Sequence, residues 1–144
     1  MSKHLYFLGI GGTLMGSLAQ LAKQMGFEVS GSDGKIYAPM SDLLTAADIT
    51  VYEGFNPTHL EPAPDLVIVG NASLPRGSEA IEYVLNQGLR YSSGAQWLGD
   101  TILHDRWVIA VAGTHGKTTT ASMVAWILDY AGMAPGFLIG GAPA

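Results

Sequence analysis

The chain has 144 residues, a net charge of −5, 48% apolar residues, only seven Lys and Arg, and no cysteine. That length carries one domain with a real core, and so low a charged fraction argues for a well-buried α/β body rather than a disordered chain. Scattered basic residues exclude a nucleic-acid-binding stripe, missing cysteines exclude a disulfide framework and a thiolate metal site, and no run reaches the ~18 apolar residues of a membrane helix.

Met1-Ser2-Lys3-His4 leads into an apolar run without the long apolar core and cleavage site of a secretory signal, so a cytoplasmic, reducing location is expected. Leu5-Tyr6-Phe7-Leu8 reads as the first strand. Leu14, Leu18, Leu21, Ala22 and Met25 then recur at helical spacing until Gly26 stops the helix. Glu28-Val29-Ser30-Gly31 reads as a second strand ending at Ser32-Asp33, 40–47 as a short helix, Thr50-Val51-Tyr52 as a third strand, and Leu66-Val67-Ile68-Val69 as a fourth, fully buried one. Asn56-Pro57 and Pro62-Ala63-Pro64 mark a loop between them. Glu79 to Gln87 is expected to be a helix, Leu89-Arg90-Tyr91 an edge strand, and Ala95 to Leu103 a further helix. Apolar runs alternating with helical patterns predict repeated β-α units, that is, a Rossmann-like, mostly parallel sheet.

After the charged link His104-Asp105-Arg106 the pattern restarts, which places a domain boundary near Arg106, with segments 1–106 and 107–144. Trp107 to Ala112 reads as a new apolar strand feeding Gly113-Thr114-His115-Gly116-Lys117-Thr118. The helix beyond it carries Val124, Ile127, Leu128 and Ala131 on one stripe and Met123, Trp126 and Tyr130 on another, the pattern of a helix buried on several sides. Phe137-Leu138-Ile139 reads as the start of another strand. Residues 107–144 are too few to fold alone as a rule, so the chain is expected to be the N-terminal part of a longer protein; the alternative is a complete small protein whose last helix packs on the first domain. With the rest of the second domain absent, exposed Trp126 and Met123 are expected to favour self-association.

Two strand-turn-helix junctions carry the chemistry. Amides converging in a glycine turn at the positive end of a helix replace the water around a phosphate, a lysine neutralises its outer oxygens, and a hydroxyl holds Mg²⁺. Lys117 and Thr118 fit the last two roles, although Val111 stands where the strict pattern has its first glycine. His115 lies inside this loop, and with His4, His59 and His104 it forms no metal-type spacing. The earlier junction, Gly9-Ile10-Gly11-Gly12, is followed by Asp33 at the end of the second strand, as in dinucleotide-binding folds, but Leu14 occupies the position of the third glycine. From the residues alone an NAD-sensing Rossmann module and a P-loop transport or signalling ATPase stay open beside an enzyme.

Gly9 to Gly16, followed by Ala112-Gly113-Thr114-His115-Gly116-Lys117-Thr118-Thr119-Thr120, resembles the Mur ligases, the ATP-dependent amide-forming enzymes of peptidoglycan synthesis, and the resemblance spans the chain. Within them the chain is similar to the branch acting on UDP-N-acetylmuramate. Gly70-Asn71-Ala72, Arg76-Gly77 and Ser93-Gly94-Ala95-Gln96-Trp97-Leu98 resemble the tripeptide-adding members more than the L-alanine-adding ones, in many of which glycine stands in place of Leu14.

The resemblance implies a UDP-sugar-binding domain over 1–106 and the opening β-P-loop-α unit of a central ATPase domain over 107–144. It implies that Gly9, Gly11, Gly12, Thr13, Leu14 and Met15 face the UDP diphosphate through backbone amides, that Asp33 sits near the uridine, and that Asn71 and Ala72 line the same crevice. Gly113, Thr114, His115, Gly116, Lys117, Thr118 and Thr119 would hold ATP, with Lys117 catalytic and Thr118 on Mg²⁺. The implied partners are UDP-N-acetylmuramate and the tripeptide L-Ala-γ-D-Glu-meso-diaminopimelate, joined through an acyl phosphate in peptidoglycan recycling. The L-alanine-adding reaction is the alternative. No nucleic acid and no membrane is expected as a partner.

Overall fold

In the computed structural model of the chain, residues 2–70 and 74–140 are described. They divide into two units, Met1–His104 and Asp105–Ala144. In the first, the apolar runs become β1 (His4–Leu8), β2 (Glu28–Asp33), β3 (Thr50–Glu53), β4 (Leu66–Val69) and β5 (Tyr91–Ser93), interleaved with α1 (Thr13–Gln24), α2 (Met40–Ala46), α3 (Glu79–Asn86) and α4 (Gly94–Leu98). The strands form one sheet in the order β3-β2-β1-β4-β5, and every pairing is parallel. The chain therefore steps outward from β1 to β2 and β3, then returns to the other side of β1 for β4 and β5. Parallel pairing puts the C-terminal ends of all five strands on one edge, and the reversal between β1 and β4 opens a crevice there.

Alternation along β1 assigns the two faces of the sheet. Leu5 and Phe7 pack with Met15, Leu18, Ala19 and Ala22 of α1, with Val29 and Ile68, and with Trp97. Phe7 and Phe27 each meet the Trp97 ring edge-on, with centroids 6.2 Å apart. Each Leu or Phe side chain taken fully from water contributes about 1.5–3 kcal/mol, so this layer fixes α1 against the sheet. On the other face Tyr6, Leu8 and Val67 lie with Leu60, Ala80 and Val84.

Several expectations change in detail. Leu89 and Arg90 lie outside β5, which starts at Tyr91 and ends where the Ser93 hydroxyl accepts the Gln96 N–H to begin α4. The expected 95–103 helix is α-helical only to Leu98, and Gly99–Leu103 winds as a π turn. The Asn56-Pro57 loop contains a 3₁₀ turn, Pro57–Leu60, because the Asn56 side chain accepts the Thr58 N–H. In β4 only Val67 and Ile68 are fully buried. The second unit contains α5 (Lys117–Tyr130) and, among its described residues, no strand. Trp107–Ala112 and Phe137–Ile139 are unpaired there, since a strand exists only when a neighbouring strand takes its amides and carbonyls. No residue of α5 is buried, and Met123, Trp126, Ile127 and Tyr130 are exposed.

The missing third fingerprint glycine is explained by where the chain does come close. A Cβ on Gly31 would stand 2.5 Å from the Phe7 carbonyl and 2.8 Å from Ile10 Cδ1; one on Gly94 would stand 2.9 Å from Met15 Sδ. Close approach of α1 and its preceding turn to the sheet is thus supplied by glycines on β2 and at the start of α4. Because the Phe7 carbonyl belongs to the sheet ladder and has nowhere to move, Gly31→Ala is expected to cost about 1–3 kcal/mol through overpacking, despite alanine's smaller backbone entropy loss. Urea unfolding with a lowered midpoint and an unchanged slope checks this; an unchanged midpoint contradicts it.

The second face buries the Tyr6 phenol, and burial pushes its pKa up to about 12 against a weaker opposing pull from the Ser32 hydroxyl. Neither hydroxyl reaches hydrogen-bond geometry with a partner among the described residues. A phenol that ionises near 10 in the unfolded chain and near 12 in the folded one binds its proton more tightly when folded. Its contribution is therefore intact below pH 10 and is lost as pH rises toward 12, on the order of 2–3 kcal/mol in all. Tyr6→Phe is expected to remove that alkaline loss with little or no cost at neutral pH, since an unpartnered hydroxyl is what it deletes. Unfolding followed between pH 8 and 12 measures both.

Candidate functional site

The turn from β1 into α1 lies on the C-terminal edge of the sheet, at the β1/β4 reversal. Gly9 adopts φ 85°, a left-handed conformation that turns the chain away from the strand direction. The next amides point inward one after another. Gly9 and Ile10 donate to the Ser32 carbonyl at 2.8 and 3.2 Å, Gly11 to Asp33 Oδ2 at 2.8 Å, and Gly12 to the Gly9 carbonyl at 3.3 Å. Gly12 is the N-cap of α1, it has no side chain to cap with, and its carbonyl accepts the first helical bond, from Gly16. Thr13, Leu14 and Met15 are the first three helical residues, whose amides precede any intrahelical acceptor.

The amides left without an intrahelical acceptor are therefore those of Thr13, Leu14 and Met15, while those of Gly9, Gly11 and Gly12 serve the turn itself. Thr13 and Leu14 are exposed, whereas the Met15 side chain is buried in the core, so Met15 reaches the crevice through its backbone only. Asp33 is 8% exposed and sits under the turn, with its Oδ1 accepting the Gly34 amide at 2.7 Å. Asn71 and Ala72 lie outside the described residues. The preceding Gly70 is buried, with its amide on the Leu8 carbonyl, and a Cβ there would sit tightly, 3.0 Å from that carbonyl and 3.2 Å from Met15 Cγ. Sequence reasoning missed Ser32, whose carbonyl anchors the start of the turn, and Ile36, which covers Gly11; neither carries a motif, and both act through position alone.

The second junction belongs to the other unit. Gly116 is the N-cap of α5 with φ 76°, again without a side-chain cap, and its carbonyl accepts from Thr120. The amides of Lys117, Thr118 and Thr119 thus precede the first helical acceptor, in a stretch exposed from Ala112 onward. Lys117 Nζ folds back onto the Gly113 carbonyl at 2.7 Å, and His115 Nδ1 lies 3.3 Å from the Thr114 hydroxyl. This loop fits a polyphosphate: open amides at the positive end of a fourteen-residue helix and a cation at the loop's centre. For Mg²⁺ it offers the Thr118 hydroxyl, and among the described residues no group of three His, Cys, Asp or Glu gathers to hold a metal. No helix is long and apolar enough to cross a membrane among those residues.

Comparison with known proteins gives this arrangement its family. The family described as Mur ligase family, catalytic domain, matches residues 4–106, and the chain belongs to the Mur ligase family. It is 56% identical over 139 residues, 96% of its length, to the UDP-N-acetylmuramate–L-alanyl-γ-D-glutamyl-meso-2,6-diaminoheptandioate ligase of Escherichia coli K12. To the UDP-N-acetylmuramate–L-alanine ligase of Clostridium acetobutylicum it is 35% identical over 141 residues, 98% of its length. The crystal structure of the tripeptide-adding ligase from Neisseria meningitides covers 99% of the chain with a TM-score of 0.95 at 57% identity, and the chain covers 44% of that structure. The chain spans about 30% of the length of the curated relatives it matches.

If the open amides are the anion receptor, pyrophosphate added to the chain is expected to shift the amide resonances of Thr13, Leu14 and Met15 and leave those of Gly9 and Ile10 nearly in place. The reverse pattern in a nitrogen-15 NMR titration contradicts this division of labour.

Proposed function

We propose that the chain supplies the UDP-N-acetylmuramate site and the first ATP-phosphate loop of a cytoplasmic, ATP-dependent ligase. That enzyme joins the lactyl carboxylate of UDP-N-acetylmuramate to the amine of the tripeptide L-Ala-γ-D-Glu-meso-diaminopimelate in peptidoglycan recycling. The observation that carries the reading is the uncapped start of α1, with the Thr13, Leu14 and Met15 amides at the strand-reversal crevice. The choice of amine rests on the higher identity to the tripeptide-adding relative, 56%, than to the L-alanine-adding one, 35%.

A diphosphate fits that first site because it is anionic, extended and lacks its own donors, which is what three open amides at a helix start complement. Asn71 and Ala72, beyond the end of β4, belong to the same proposal as neighbours of the nucleotide. In the second unit, Gly113, Thr114, His115, Gly116, Lys117, Thr118 and Thr119 are proposed to hold ATP. A carboxylate is a poor electrophile at neutral pH, and ATP supplies the phosphoryl group that makes it an acyl phosphate. Lys117, released from the Gly113 carbonyl, neutralises charge on the transferred group, and the Thr118 hydroxyl stands ready as one Mg²⁺ ligand.

Thermal unfolding of the chain with UDP-N-acetylmuramate, Mg-ATP and NAD tests this reading, because a ligand present at 100 times its Kd adds about 2.7 kcal/mol to the folded state. Stabilisation by UDP-N-acetylmuramate and by Mg-ATP is expected, and none by NAD. Lys117→Ala is expected to remove the ATP effect alone, since its side chain is exposed and holds only one carbonyl. Stabilisation by NAD without UDP-N-acetylmuramate contradicts the proposal.

A further inference from the structure

In dinucleotide-binding folds the acid at the end of the second strand binds a ribose hydroxyl. Asp33 occupies that position here, at the last residue of β2, yet its carboxylate is turned into its own fold. Oδ2 accepts the Gly11 amide at 2.8 Å and Oδ1 the Gly34 amide at 2.7 Å, so each oxygen is held by a backbone donor. The residue is only 8% exposed. Ile36 closes over the same spot: a Cβ on Gly11 would stand 2.8 Å from Ile36 Cγ1 and 3.0 Å from Asp33 Oδ2. A side chain at Gly11 would have to displace Ile36 and crowd the Asp33 carboxylate.

We propose that Asp33 is a positioning residue that clips the phosphate turn from beneath and does not read the ribose. Charge-assisted bonds from amides to a carboxylate are about twice as strong as neutral ones. The clip fixes the Gly11 amide inward, and with Gly9, Ile10 and Gly12 also committed, the boundary between inward and outward amides falls at Thr13. The ribose of a nucleotide in this crevice must be gripped by other groups, which removes the anchor a dinucleotide needs. This rests on the uridine-diphosphate reading of the site, but the clip is testable without it.

Two measurements on the 144-residue chain decide the matter. The first reads the Gly11 amide directly: its hydrogen exchange is expected to speed tenfold or more in Asp33→Ala and to stay protected in Asp33→Asn, which keeps an acceptor oxygen, while Gly9 and Ile10, held by the Ser32 carbonyl, stay within about twofold; an unchanged Gly11 rate in Asp33→Ala overturns the clip. The second compares UDP with 2′-deoxy-UDP by calorimetry in the natural chain and in Asp33→Ala. Both nucleotides are expected to weaken by the same factor, tenfold or more, so that the ratio of their Kd values stays within about twofold of the natural one. A ratio that collapses toward one in the variant overturns the proposal, because it makes Asp33 the ribose ligand; so does an unchanged affinity for both. If the natural chain binds neither UDP nor UDP-N-acetylmuramate, the uridine reading fails, and the Gly11 exchange rate still decides the clip.

Discussion

The arrangement depends on how one short turn disposes of its amides. Four consecutive N–H groups after β1 are satisfied inside the protein by the Ser32 carbonyl, the Asp33 carboxylate and the Gly9 carbonyl, and the next three precede any helical acceptor. A buried donor left unpaired costs about 1–3 kcal/mol, so the inward set is obligatory where the chain is packed under Ile36, while the outward set is tolerable only at a surface. The division between amides committed to the fold and amides left open thus runs between Gly12 and Thr13. It is held by groups on β2, whose alignment with β1 places Ser32 beside Leu8.

That alignment depends in turn on tight packing behind the turn. Gly31 gives Ile10 room against the sheet, and Gly94 gives Met15 and Leu18 room near the start of α4. The consequence is that α1 lies low over β1 and β2, and its N-terminus is aimed at the point where the sheet reverses. A helix raised by one methyl group's thickness would carry its open amides out of the crevice. Glycines far apart in the chain therefore take over the task that one fingerprint glycine performs in dinucleotide folds, and Leu14, freed from it, is half-exposed.

Much of this was legible from residue pattern. Apolar and helical runs placed β1, β2, β3, β4, α1, α2 and α3 to within a residue or two, because each is bounded by a punctuating Gly, Pro or Asp. The phosphate turns were visible from their glycines. What the sequence hid was direction: nothing in Gly9-Ile10-Gly11-Gly12 tells which amides face inward, and nothing in Ser32 or Ile36 marks them as supports. The break at Gly99 was hidden because Ala95 to Leu103 keeps an apolar helical pattern through it. The strands expected at 107–112 and 137–139 failed for another reason. Their apolar character is real, but pairing requires a neighbour that the described residues of that unit do not contain.

The central claim is that the outward amides at the start of α1 receive the diphosphate of a UDP-sugar. A crystal structure of the chain with UDP-N-acetylmuramate tests it most directly. The account requires phosphate oxygens within about 3.2 Å of the Thr13, Leu14 or Met15 nitrogens, with the Gly11 amide still on Asp33. Phosphates bound to the Gly9 and Gly11 amides, with Asp33 swung onto the ribose, would contradict it.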